Sequence, residues 1–121
     1  MTKTLIDRNS IENFTEGDPE LLADLSVIFV RFLPTSLAQM NLAVENRDSH
    51  MLREAAHKLK SQLSYFFCET LVEQTSQLEE LARTEQIQDA STRLQDVTKN
   101  IVRLLEELRA LTNLELILEQ D

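Results

Sequence analysis

A single glycine, Gly17, among 121 residues is the feature that most limits what this chain can become. Hairpins and tight turns need residues that enter the left-handed backbone region freely, and a sheet protein needs many of them. Two prolines and abundant Leu, Glu, Gln and Ala supply material for long helices joined by few loops instead. The expected class is all-α. The length suits one domain, residues 1–121, around one modest core.

Helix starts are the useful punctuation. Asp7 is placed to cap a short first helix, with Ile6 and Ile11 as a hydrophobic staple and Phe14 continuing the buried side. Asp18-Pro19-Glu20 combines a capping carboxylate, proline at the first helical position and an acid near the positive end of the dipole. Leu21, Leu22, Leu25, Ile28, Phe29, Phe32, Leu33, Met40 and Val44 then recur at steps of three and four, predicting one long helix that ends near Asn46. Pro34 lies inside it and is expected to bend or locally break it.

Asp48 or Ser49 caps the next helix. Its Leu52, Ala55, Ala56, Leu59, Leu63, Phe66 and Phe67 fall within an arc of about 120°. No glycine or proline separates Ser49 from Thr84, but the arc of Leu71, Leu78 and Leu81 is rotated by about 70°, so a break is expected near Phe67 to Thr70. After Thr84, Ile87, Ala90, Leu94, Val97, Ile101, Leu104, Leu108 and Leu111 predict a last helix to about Leu118. That seam also suits an intermolecular coiled coil; three other amphipathic helices needing a partner favour packing within an antiparallel bundle.

A net charge of −9 argues against a general nucleic-acid or anionic-membrane surface. No run of about 20 apolar residues stands out, and Met1 to Ser10 carries no apolar block with a small-residue cleavage site. The expected place is the cytoplasm. The lone Cys68 has no internal disulfide partner and no Cys/His set around it for zinc, and reads as a small half-buried residue.

One helix face carries chemistry. His57, Lys60, Ser61 and Ser64 lie at roughly 80° to 180° from Leu52, mostly beyond the apolar arc, and are neighbours at helical spacing. A neutral imidazole nitrogen can attack phosphorus, and a nearby ammonium offsets charge on the phosphoryl oxygens. A histidine on the flank of a surface helix is equally what a tolerated polar residue looks like, so both readings stand on the residues alone. His50, at the helix start without a comparable lysine, reads as solvated surface.

The run Ala55-Ala56-His57-Lys58-Leu59-Lys60-Ser61, followed by Leu71 and the pair Leu78-Glu79, resembles the histidine-containing phosphotransfer (HPt) family of bacterial two-component phosphorelays. Asp18-Pro19-Glu20-Leu21-Leu22, Phe29 with Phe32, Pro34, and the approach from Asp48 to Leu52 also fall where that family places its second and third helices. The likeness covers nearly the whole chain. It implies an antiparallel four-helix bundle with a short N-terminal cap helix, His57 as phosphoacceptor and Lys60 as its charge partner. Glu79 occupies the region where a side chain of the following helix orients the imidazole, with a solvated helix glutamate as the competing reading.

Lys58, Ser61, Gln62, Ser64 and Tyr65 are the implied contacts for a response-regulator receiver domain, and Val27 and Val30 suit an added apolar docking patch. The resemblance implies a monomeric phosphocarrier serving receivers and a hybrid histidine kinase, not a kinase itself. Gly17 alone makes no phosphate loop, so nucleotide binding has no support. The magnesium is expected in the partner receiver, leaving this chain without cofactor or metal. Ser61 and Phe67 stand where the family usually has glycine; the first bears on receiver approach, and the second is expected to bury and change the turn. Two other functions compete: a helical adaptor that binds a receiver or partner helix without transfer, and the dimerisation hairpin of a histidine kinase. Against the hairpin stand the cap-plus-four-helix count and the lack of acidic and proline residues directly after His57.

Overall fold

The structure, a computed structural model, describes residues 4–116, and these are helical with no strand among them. The elements are α1 (Arg8–Thr15), α2 (Pro19–Glu45), α3 (Ser49–Leu63) with a following 3-10 turn (Ser64–Phe66), α4 (Glu69–Arg83) and α5 (Ile87–Thr112). Aspartates start the first three. Asp7 accepts from the Ser10 amide, Asp18 from Glu20 and Asp48 from Met51, each satisfying a donor that the first helical turn leaves free. Ile6 and Ile11, both buried, form the staple that sets the entry angle of α1.

Helix ends follow from the shortage of glycine. Glu16, Arg47, Phe67, Glu85 and Asn113 all adopt positive φ, between 51° and 60°, and one of them follows each helix or its 3-10 extension. A side chain in that region costs roughly 1–2 kcal/mol. Backbone hydrogen bonds offset it. After α1, α2 and α4 the chain closes by paired bonds, Gly17 to Glu12 with Glu16 to Asn13, Asp48 to Ala43 with Arg47 to Val44, and Gln86 to Leu81 with Glu85 to Ala82. Each pair satisfies two carbonyls that the helix end leaves open.

Packing closes a ring: α2 lies on α3, α3 on α4, α4 on α5, and α5 returns to α2. The core holds Leu33, Met40, Leu52, Leu59, Leu63, Leu71, Leu78, Ile101 and Leu104, all fully buried, and the rings of Phe29 and Phe66 meet at 5.1 Å. The N-terminal segment is strapped across one end. The amides of Leu5 and Ile6 donate to the Glu107 carboxylate at 2.8–3.0 Å, while Asp7 donates to the Phe67 carbonyl at 2.9 Å.

Several expectations change. Phe14 is 46% exposed and packs its ring edge-on against Phe67 at 5.6 Å instead of continuing the buried side of α1. On α2 the buried face is Leu22, Ser26, Phe29, Leu33, Ser36, Leu37, Met40 and Ala43, so Leu21 and Ile28 point outward. Apolar periodicity alone could not separate these two adjacent stripes, because Ser26 and Ser36 sit in the core and Ile28 outside it. Pro34 neither ends nor interrupts α2, with Leu33 and Leu37 buried on either side.

The last helix stops at Thr112, where Asn113 takes the left-handed conformation and donates to Arg109. Asparagine tolerates that region, and the Thr112 hydroxyl accepts from the Leu114 amide beyond it. Leu118, the expected end, lies outside the described residues. Cys68 is fully, not half, buried; burial pushes its thiol up to about 12, and it donates to the Leu63 carbonyl at the end of α3. That thiol stays protonated and unreactive at neutral pH.

By length and composition α2 is apolar enough to cross a membrane, with mean hydropathy 1.6, which the expectation of no such run did not foresee. Core helices meet the same test, and Leu22, Phe29, Leu33 and Met40 of α2 are buried in the shared core. The buried Ser26 and Thr75 hydroxyls donate to carbonyls one turn back, whereas the Ser36 hydroxyl has no partner among the described residues. Ser36→Ala is therefore expected to raise stability by about 1 kcal/mol, read as a higher urea midpoint at unchanged slope; a lower midpoint would reveal a partner for the hydroxyl.

Candidate functional site

The chemistry-bearing residues gather where α3 faces α4. Ala55, Ala56 and Leu59 anchor α3 in the core, which turns His57 outward and lays Lys60 along the groove toward α4. On α4, Leu71, Thr75, Leu78 and Ala82 are buried, and Glu79, next to Leu78, emerges at the groove edge. Glu79 then bridges both α3 side chains. Its Oε2 lies 3.0 Å from His57 Nδ1 and its Oε1 2.6 Å from Lys60 Nζ.

The electrostatics fix the direction of these bonds. Partial burial alone would raise the Glu79 carboxyl, but hydrogen bonds from Lys60 and His57, with the Lys60 charge, hold it below the ordinary glutamate range. An ionised carboxylate only accepts, so Nδ1 carries the proton of this contact. The His57 side chain is 62% exposed, against 20% for Glu79 and 27% for Lys60. The imidazole is the exposed member of the three, and the carboxylate and ammonium beside it are sheltered.

This depressed pKa has a pH consequence. A carboxyl whose folded pKa lies below its unfolded value contributes stability that is present above the unfolded value, near 4.5, and lost as pH falls through the lower folded value. Wild type is therefore expected to lose more stability than Glu79→Gln between about pH 5 and pH 3, measured by urea denaturation. Parallel curves for the two proteins would show that the bridge is not formed in solution.

The remaining predicted site residues divide. Ser61 and Ser64 donate to the carbonyls of His57 and Lys60, four residues back, so their hydroxyls are occupied by the helix itself. Lys58 and Tyr65 are exposed, Gln62 is half-buried, and the Tyr65 ring lies 6.5 Å from Phe14. Val27 and Val30 are half-buried, and Val30 packs onto the core. Phe67 is half-buried in a left-handed turn, with its ring against Phe14. His50 is exposed and contacts Glu54 across one turn at 3.0 Å.

Periodicity did not announce one apolar surface. Leu21, Leu25, Ile28 and Phe32, at steps of four, three and four, form a second, partly exposed stripe on α2, with Ile28 57% exposed. The Phe29–Phe66 contact sets that half of α2 beside the end of α3. A surface depression of about 660 Å³ lies between the N-terminal segment and the start of α4, and neither His57 nor Lys60 lines it.

The family model of the Hpt domain matches residues 24–114. The chain belongs to that family, a class of helical modules that carry phosphoryl groups on histidine in two-component phosphorelays and work with receiver domains and histidine kinases. No curated protein and no solved structure matches the chain.

Proposed function

We propose that this protein is a phosphorelay intermediate in which His57 takes a phosphoryl group from the aspartyl phosphate of one receiver domain and passes it to another. The observation that carries this reading is the 3.0 Å contact between His57 Nδ1 and Glu79, on an imidazole side chain that is largely exposed. Nε2 attacks phosphorus, the new N–P bond forms as the acyl P–O bond breaks, and the electron pair leaves on the receiver's aspartate. The ring becomes a phosphorylated imidazolium whose Nδ1–H stays on Glu79, which stabilises the positive charge that develops. Return transfer to a second aspartate retraces these steps.

The frame we infer is one domain, an antiparallel four-helix bundle of α2 to α5 with α1 as cap, supported by the closed ring of packing. Receivers dock on α3 and the neighbouring, partly exposed stripe of α2 formed by Leu21, Leu25, Ile28 and Phe32. Lys58, Ser61, Gln62 and Ser64 follow His57 along the chain and are the polar contacts we assign to the receiver. Ser61 adds one hydroxymethyl group where close approach is needed, and its bond to the His57 carbonyl keeps it against the helix. The receiver supplies magnesium and the acidic cluster; this chain supplies no nucleotide site and works as a cytoplasmic, monomeric carrier rather than a kinase.

The test is transfer from a phosphorylated receiver in the presence of magnesium. Wild type should gain an acid-labile, alkali-stable label, and His57→Gln should gain none. Binding of receivers without any transfer would replace this reading by a helical adaptor.

A further inference from the structure

The cations around His57 are not equivalent. Lys60 is committed to Glu79 at 2.6 Å, while Glu54 contacts His50, Glu80 pairs with Arg83, and Glu73 lines the cleft beside Arg53 and Lys60. Arg53 makes no ion pair within 4.0 Å among the described residues, although its charge acts on Glu80 across the groove. It stands four residues before His57 and seven before Lys60, so the three side chains share one column of α3. Two shallow clefts flank that column. One is lined by His57, Lys58 and Glu79 and the other by Lys60, Glu79 and Arg83, and Arg53 lines both.

Charge makes the difference matter. A phosphoryl group brings about 1.5 to 2 negative charges near neutral pH, onto a protein whose net charge is already −9. Lys60 must leave Glu79 to meet that charge fully, which would uncover the carboxylate that holds the imidazole. A guanidinium that is hydrogen-bonded to no carboxylate breaks no such contact when it turns to the phosphoryl group, and its planar fork matches two phosphoryl oxygens at once. Helix α3 itself carries Arg53, Lys58 and Lys60 against the single acid Glu54, while Glu73, Glu79 and Glu80 of α4 line the cleft facing them.

We propose that Arg53 is the second cation of this site, and that its guanidinium engages the phosphoryl oxygens on His57 Nε2 in the transition state and in the phosphorylated protein. This rests on the carrier reading of His57. As the N–P bond forms and the P–O bond to the receiver's aspartate breaks, Arg53 takes up the charge on the equatorial oxygens. Lys60 remains with Glu79 and the Nδ1 proton does not move.

The experiment uses the full chain as wild type, Arg53→Gln and Arg53→Lys, labelled by a phosphorylated receiver and, separately, by phosphoramidate, a small donor that needs no docking surface. Arg53→Gln is expected to slow labelling by either donor about 10-fold with an unchanged melting temperature, and Arg53→Lys to recover most of the rate. In the labelled protein, 31P NMR should show the phosphoryl group titrating about half a unit higher in Arg53→Gln than in wild type, because a nearby cation favours the dianion. Equal rates and equal titration would overturn the role of Arg53 and leave the carrier reading intact. A slower receiver reaction with unchanged titration would also overturn it, by placing Arg53 in docking. A wild type that takes no label on His57 from either donor would remove the carrier reading and this inference together.

Discussion

Replacing Glu79 by alanine is expected to slow phosphoryl transfer to His57 on the order of 10²-fold while leaving the protein folded. Three losses combine. The imidazole no longer has a partner that keeps the proton on Nδ1, the imidazolium formed on attack loses its counter-charge, and Lys60 loses the group that holds it along the α3–α4 groove. Each acts on the chemical step more than on receiver binding, because Glu79 is sheltered and His57 is the exposed member. Glu79→Gln separates these effects: its amide oxygen can still accept from Nδ1, so the tautomer survives while the counter-charge is gone. An intermediate rate is expected for it, measured as pseudo-first-order labelling by an excess of phosphorylated receiver. Wild-type rates for both variants would reduce Glu79 to a structural salt bridge.

Leu59→Ala is expected to lower unfolding stability by about 3 kcal/mol, a large part of the roughly 5–15 kcal/mol available to a domain of this size. Leu59 is fully buried and lies two residues from His57, so its side chain anchors α3 in the core beneath the site. Removing it leaves a cavity among rigidly packed neighbours that can collapse only in part. Urea denaturation by circular dichroism reads the change as a lower midpoint with an unchanged slope. A loss under 1 kcal/mol would mean that α3 is held mainly by its other contacts.

The starts of α1, α2 and α3 were legible because each rests on a local rule, an aspartate that accepts from its own helix. The inward face of α3 was legible because Leu52, Ala55, Ala56, Leu59 and Leu63 are apolar without exception and every one is buried. Helix ends were harder to read. Phe67 and Arg47 occupy positions where glycine would have been the signal, and nothing in either side chain advertises a left-handed turn. The outer stripe of α2 was hidden for the opposite reason, since too many apolar residues, Leu21 and Ile28 among them, matched the same period as the core.

Within the site, the spacing of His57 and Lys60 along one helix was readable and the resemblance pointed to Glu79 beside the imidazole, but the second contact of Glu79, with Lys60, was not foreseen. Periodicity reports which way a side chain leaves its own helix. It cannot report that a carboxylate on α4 reaches two different residues of α3, because that depends on the register between the helices. Arg53 shared the column of His57 in the sequence from the start, yet that Glu54 and Glu80 make their close contacts with His50 and Arg83 instead emerges only once those side chains are placed.

The most direct test is to label the protein with a phosphorylated receiver and locate the phosphoryl group by 31P and 1H–15N NMR of the histidine ring. One phosphoryl group on Nε2 of His57, with the proton retained on Nδ1, is the result predicted by the contact between Nδ1 and Glu79. A phosphoryl group on Nδ1, on His50, or on no histidine at all would contradict it.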